Sequence, residues 1–273
     1  MVNRKDNFYS DLINRIMDLG LKNQLFLVGG STSGFGKAVA EALLQEGARV
    51  IAIARTAAGL TVLQDAYPHQ VMPLALDLTA EGSIEAVMQR IGDQQLHGIL
   101  VNAGGPPAKT ALETSLADWD EAYQKILRWK VALVQAVAPK MIQAGYGRIV
   151  FVESSSVKQP LENLVLSNSL RLAVVGFAKT LSQEIARSGV TLNILGPGSH
   201  DTPAINRIYK KKSEQTGLSE EAVRNAAIQQ IPVGQLGTAN DFASLALWLL
   251  SPQSRYVTGQ TITVDGGSVK GTF

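Results

Sequence analysis

Seven short apolar stretches, each followed by a segment of different periodicity, constrain this chain more than any other feature. They fall at residues 24–29 (QLFLVG), 49–54 (RVIAIA), 71–76 (VMPLAL), 97–102 (HGILVN), 148–153 (RIVFVE), 190–195 (VTLNIL) and 260–265 (QTITVD). Their length and β-branched content read as buried strands. Helical patterns lie between them, at 36–47, 57–66, 81–92, about 117–144, about 165–188, 203–230 and 239–250. Strands that alternate with helices pair in parallel, because only a crossover returns the chain to the same sheet edge. The pattern predicts an α/β fold: one doubly wound parallel sheet of about seven strands, with helices on both faces.

No repeat, linker or low-complexity stretch interrupts the 273 residues, so a single domain is expected over 21–273. Residues 1–20 stand apart. Phe8, Leu12, Ile13, Ile16 and Leu19 recur at helical spacing, as a short docking helix or an appended leader would, without the apolar core of a signal peptide. A net charge of +2 gives no reason to expect nucleic acid or an anionic membrane surface as partner. No run reaches the roughly 18 apolar residues of a spanning helix. The absence of cysteine excludes disulfides and thiolate chemistry and fits a cytoplasmic location. No metal site is expected.

The first strand runs directly into Gly30-Ser31-Thr32-Ser33-Gly34-Phe35-Gly36, where a helix begins. Glycines at 30, 34 and 36 allow a tight turn and a close approach of backbone to a pyrophosphate, and the helix N-terminus supplies N–H donors and positive dipole. In this context the loop predicts a Rossmann-type dinucleotide site. The second strand ends in Ala54-Arg55, where a carboxylate would favour NAD(H). Arg55 instead matches a 2′-phosphate, so NADP(H) is expected over NAD(H); a solvated loop arginine is the alternative. Asp77 and Leu78 close the third strand, with Asp77 placed to accept from the adenine amino group, to cap a helix, or both. Asn102, Ala103 and Gly104 end the fourth strand with small residues on which a cofactor can lie.

Together these residues resemble the classical short-chain dehydrogenase/reductase family over about 20–267, nearest to 3-oxoacyl-carrier-protein-reductase-like members. Further markers are Gly147-Arg148-Ile149-Val150 leading to Ser154, Asn193, Pro197-Gly198, Thr202, Val257-Thr258-Gly259-Gln260 and Val264-Asp265-Gly266-Gly267. The resemblance implies cofactor contacts from Gly30, Ser31, Ser33, Gly34, Phe35, Gly36, Arg55, Asp77, Leu78, Asn102, Ala103, Gly104, Arg171, Pro197, Gly198 and Thr202. It also implies a substrate lid near 199–230 and a homo-oligomer, a tetramer.

The catalytic positions depart from the family, which uses Asn, Ser, Tyr and Lys. Alignment puts Ile126 on the asparagine, Ser154 on the serine, Ser167 on the tyrosine and Arg171 on the lysine. Ser167 and Arg171 share a helix face four residues apart. A serine hydroxyl is a far weaker acid than a phenol, and arginine does not relay a proton, although it still donates to a ribose. Catalysis is therefore expected from Ser154, Ser167 and Arg171, with His200, Lys158 or a water bound by the serines as proton donor. Glu153 should point away from Ser154 across the strand. Trp119 and Trp129 read as packing residues, and Lys210-Lys211-Lys212 as a solvated helix face. The expected activity is NADP(H)-dependent oxidoreduction of a small carbonyl or alcohol. A cofactor-binding protein without hydride chemistry, or an isomerase or lyase on this scaffold, are the alternatives.

Overall fold

The computed structural model describes residues 18–102 and 104–272. Seven parallel strands form one sheet in the order β3-β2-β1-β4-β5-β6-β7. They are β1 (Leu25–Gly29), β2 (Arg49–Ala54), β3 (Val71–Ala75), β4 (Gly98–Val101), β5 (Gly147–Val152), β6 (Val190–Pro197) and β7 (Thr261–Val264). The chain winds outward through β2 and β3, then returns past β1 to lay down β4 on its other side. That reversal opens a crevice above the carboxyl ends of β1 and β4.

The helices are α1 (Gly34–Gln45), α2 (Ala57–Ala66), α3 (Ser83–Ile91), α4 (Leu116–Tyr123), α5 (Trp129–Ala144), α6 (Val165–Glu184), α7 (Pro203–Thr216), α8 (Glu220–Ile228) and α9 (Ala239–Leu250). Every residue of β1 is buried, because both faces are covered. Phe26 and Val28 pack with Val39, Leu43 and Phe242 of α1 and α9, whereas Leu25 and Leu27 pack with residues of α3, α5 and α6 such as Val87, Val137 and Val174. Leu133, Val134 and Val137 serve this core and leave no apolar face of their own for a partner, and Trp129 joins them. Each fully buried aliphatic side chain contributes about 1.5–3 kcal/mol before entropy is counted.

The strands follow the sequence pattern to within about two residues, and two helical segments do not. The long helix expected over 117–144 is interrupted by a π-turn at Gln124–Arg128. There the Trp129 indole N–H donates to the Lys125 carbonyl at 2.9 Å, satisfying an acceptor inside the wide turn. The expected helix over 203–230 divides into α7 and α8, because Gly217 stops the first at φ 72. Of residues 1–20, only 18–20 lie within the described residues.

The opposite end of the sheet is closed by polar groups. Buried Arg148 donates to the Ser251, Gly147 and Gly189 carbonyls at 3.1, 2.9 and 3.0 Å. His97 Nδ1 accepts the Leu25 N–H at 3.1 Å, so it must be neutral. Burial lowers the His97 pKa, against a smaller opposing effect of the Gln95 backbone. Its contribution is therefore complete above the unfolded value of about 6.5 and is lost as pH falls through the lower folded value. His97→Asn keeps an acceptor and removes the titration. Between pH 7 and pH 5 the wild-type thermal midpoint is expected to fall further than that of His97→Asn; parallel declines would contradict this account.

Candidate active site

The crevice holds a cavity of about 490 Å³ at the carboxyl ends of the strands. Its floor is the glycine loop. Gly30 sits at φ +68, and a Cβ there would lie 2.9 Å from Asn102 Nδ2. A Cβ on Gly36 would come within 2.3 Å of the Gly30 carbonyl oxygen, so only glycine lets α1 start this close to β1. Asn102 closes the contact by donating from Nδ2 to the Gly29 carbonyl at 3.1 Å.

Two helices begin at this floor. Ser33 is the N-cap of α1 and Thr202 the N-cap of α7, and neither hydroxyl caps its own helix. Both residues line the cavity, and a Cβ on Gly34 would stand 3.9 Å from Thr202 Cβ. Two N-termini thus converge where an anion would be held by N–H groups and helix dipoles. Gly34, Phe35, Arg55, Asp77, Leu78 and Gly104 line the same cavity. Arg55 is exposed at the end of β2, with no ion-pair partner among the described residues.

Other expected contacts are placed differently. The Ser31 hydroxyl turns inward to the Val28 carbonyl at 2.6 Å, and its N–H is spent on Ile53 at 3.0 Å. Pro197 belongs to β6 and Gly198 packs on β7, where a Cβ would lie 2.6 Å from Asp265 Cβ; neither lines the cavity. Asp77 caps no helix. It accepts the Thr79 N–H at 2.9 Å and hydroxyl at 2.7 Å, and α3 starts later, at Ser83, behind Gly82. Those Thr79 bonds, first the backbone one, hold the Asp77 carboxyl below its usual range. Ala103 lies outside the described residues.

The far end of the cavity carries a buried ion cluster. Glu153, directly after β5, pairs through Oε1 with Lys130 Nζ of α5 and through Oε2 with Arg171 Nη1 of α6 at 2.9 Å. Arg171 also donates from Nε to Ser167 Oγ at 3.0 Å and from Nη1 to the Val152 carbonyl at 3.4 Å. Its Nη2 points past Gly105, 3.4 Å from where a Cβ would be, and has no protein partner among the described residues. Burial is the main influence on Lys130 and lowers its pKa to about 8, outweighing the attraction of Glu153.

Glu153 faces α5 and α6, the side that Ile149 and Phe151 of its strand also face. Ser154 caps the turn at Ser155–Val157 and accepts the Ser156 N–H at 3.1 Å. Neither Ser154 nor Ser167 lines the cavity, whereas Glu153 and Arg171 do. His200 is neither a surface residue nor turned to the cavity. It is buried against Phe35 and Phe242, with Nδ1 3.1 Å from the Gly198 carbonyl, and borders a separate pocket of about 220 Å³. Lys158 and Lys210-Lys211-Lys212 are exposed.

Sequence reasoning missed Lys130, Thr32, Lys125 and Arg207, the last three of which line the cavity. Lys130 had a signal. It occupies the same helical stripe as Val134, Val137 and Met141, all of them core residues. Among the described residues no helix is long and apolar enough to cross a membrane, and no cluster of His, Asp and Glu could hold a metal.

Residues 30–269 match the family model described as enoyl-(acyl carrier protein) reductase. The 3-oxoacyl-(acyl-carrier-protein) reductase of Vibrio cholerae serotype O1 is 31% identical over 253 residues, which cover 91% of this chain and 98% of the relative. The enzyme of the same name from Escherichia coli K12 is 28% identical over the same shares. Among solved structures, actinorhodin polyketide ketoreductase with NADPH superposes with a TM-score of 0.84 at 27% identity, over 91% of this chain and 98% of its own. L-Sorbose reductase of Gluconobacter frateurii, solved with NADPH and L-sorbose, shares the fold at a TM-score of 0.87 and 24% identity, over 93% of this chain and all of that one. The strand order, the glycine floor and the matched family model lead to one conclusion: the chain belongs to the short-chain dehydrogenase/reductase family of oxidoreductases.

Proposed function

We propose that this oxidoreductase uses NADP(H) to interconvert a small carbonyl compound and its alcohol. The observation that carries the reading is the convergence of two helix N-termini on a glycine floor, beside a cavity lined by Arg55, Lys125, Arg171 and Arg207. The absence of a Cβ at Gly36 lets α1 begin against the Gly29 and Gly30 carbonyls, which sets its N-terminal N–H groups beside the place a pyrophosphate would take. Bound NADPH would supply the hydride from its nicotinamide ring.

The chain's own residues divide the remaining work. Backbone N–H groups of Gly34 and Phe35 and the free hydroxyls of Ser33 and Thr202 bind the pyrophosphate. Arg55 takes the 2′-phosphate, and Leu78, Asn102 and Gly104 border the adenosine. Arg171 donates through Nη2 to the nicotinamide ribose or to the substrate oxygen. Ser167 accepts from Arg171 Nε and, standing behind the cavity lining, steadies the guanidinium that faces that oxygen. The Ser154 hydroxyl accepts from the Ser156 N–H and keeps its proton, and it would meet a substrate oxygen only where the substrate extends past the cavity lining. The segment 199–230, built of α7 and α8, closes over the site as a lid and brings Arg207 with it. Family relatives share acyl-carrier substrates by name, and a 3-oxoacyl compound is the first substrate class to assay.

The subunits assemble as a tetramer through the outer faces of α5 and α6, where Ile142 and Leu172 are exposed. Light scattering at micromolar concentration should give four times the chain mass; a particle of monomer mass rejects the assembly. Titration should show NADPH binding more tightly than NADH, and Arg55→Asp should erase or reverse that order. A wild type that prefers NADH removes Arg55 from the 2′-phosphate. Arg171→Ala should weaken NADPH binding by about 1.5–3 kcal/mol through loss of a charge-assisted hydrogen bond. Ser154→Ala should lower turnover by about 10²-fold or more with NADPH affinity unchanged. Unchanged turnover would take Ser154 out of the mechanism.

A further inference from the structure

The buried cluster holds one charge more than the fold needs. Glu153 and Arg171 already neutralise each other at 2.9 Å, yet Lys130 joins them with a side chain only 3% exposed, and Glu153 is 0% exposed. Buried ion pairs commonly return no more than their desolvation costs, and apolar residues of similar size often serve stability as well or better. A methionine at position 130 would fill the same place on the core stripe and leave a balanced pair behind.

One carboxylate cannot neutralise two cations. With Lys130 charged the cluster is net positive by one; with Lys130 neutral it carries no net charge. Lys130 lies outside the cavity lining, whereas Glu153 and Arg171 both reach it, so with Lys130 sharing Glu153 the cavity faces an ion pair with one positive charge in excess. Resting on the reductase reading above, we propose that Lys130 is a positioning residue of this site: by sharing Glu153 with Arg171, it leaves the Arg171 guanidinium an unneutralised charge toward the cavity, where the dinucleotide and the substrate oxygen that gains negative charge are held.

Glu153 from the end of β5 and Arg171 from α6 are the charged groups that face Lys130, and its own helix adds the Trp129 ring at 5.9 Å from Nζ. Burial brings the Lys130 pKa to about 8, so its charge changes within a range where arginine does not titrate. Raising the pH through this range discharges Lys130, turns Glu153 wholly toward Arg171 and weakens the hold on anions.

The test is NADPH titration, followed by its fluorescence, of wild type, Lys130→Met and Lys130→Arg between pH 7 and 9.5. The wild-type Kd is expected to rise about fivefold across the Lys130 transition, the scale of one unit charge acting through a partly screened site. Lys130→Met should show the weak value throughout, and Lys130→Arg the tight value throughout. A wild type with flat affinity, or one that loses affinity in parallel with Lys130→Met, overturns the proposal and leaves the reductase reading standing. Failure of the wild type to bind NADPH at any pH overturns both. Unfolding of the ligand-free protein gives a second readout. Because the folded pKa of about 8 lies below the ordinary 10.5, the unfolded chain binds the extra proton between them. The wild type should therefore gain stability relative to Lys130→Met as pH rises through that window, and a constant difference would contradict a titrating Lys130.

Discussion

The approach of α1 to the end of β1 is the contact on which the rest of this molecule depends. Gly36 lies so close to the Gly29 and Gly30 carbonyls that a side chain of any size would force the helix outward. With the helix in place, its free N–H groups point into the crevice left where the strand order reverses. Asn102 ties β4 to the same spot through the Gly29 carbonyl, so floor and wall of the cavity share one hydrogen-bonded corner. The cavity above that floor is lined by side chains at the ends of neighbouring strands, such as Arg55, Asp77, Asn102 and Glu153, and by Arg171 of α6.

At the other end of the cavity, where the resemblance would put a tyrosine and a lysine at 167 and 171, Ser167 and Arg171 stand in a buried charge network. Serine at 167 and arginine at 171 look like eroded positions when read as single residues. In three dimensions they are two members of a set that includes Glu153 and Lys130, with every bond of the set made between buried atoms. Arginine serves this geometry because its fork can bind Ser167, Glu153 and the Val152 carbonyl while one nitrogen remains for the cavity. The arrangement favours holding and polarising an oxygen over acid catalysis by a phenol.

Much of this was legible in the sequence, for physical reasons that also explain the failures. Strand positions were readable because a sheet covered on both faces demands unbroken apolar runs, as in LFLVG of β1. The glycine loop was readable because few other tasks need glycine at 30, 34 and 36 between a strand and a helix. Ser31 was assigned to the cofactor by its place in that loop, but a buried hydroxyl must find an acceptor, and the Val28 carbonyl was nearer. The burial of His200 was not legible either, because its aromatic neighbours, contributed by α1 and α9, are distant in sequence. The Lys130–Glu153 pair joins a helix to a strand 23 residues later, and a lysine within a helix ordinarily marks its solvated face. Only its register with Val134 and Val137 gave it away, and the π-turn just before it blurred that register.

The structure of the NADPH complex tests the central claim most directly, through the distance from Arg55 to the adenosine 2′-phosphate and from Arg171 Nη2 to its nearest ligand oxygen. This account predicts both within about 2.7–2.9 Å, the range of charge-assisted hydrogen bonds, with the pyrophosphate over Gly34 and Phe35. A 2′-phosphate left in solvent, or a dinucleotide lying outside the crevice between β1 and β4, would contradict it.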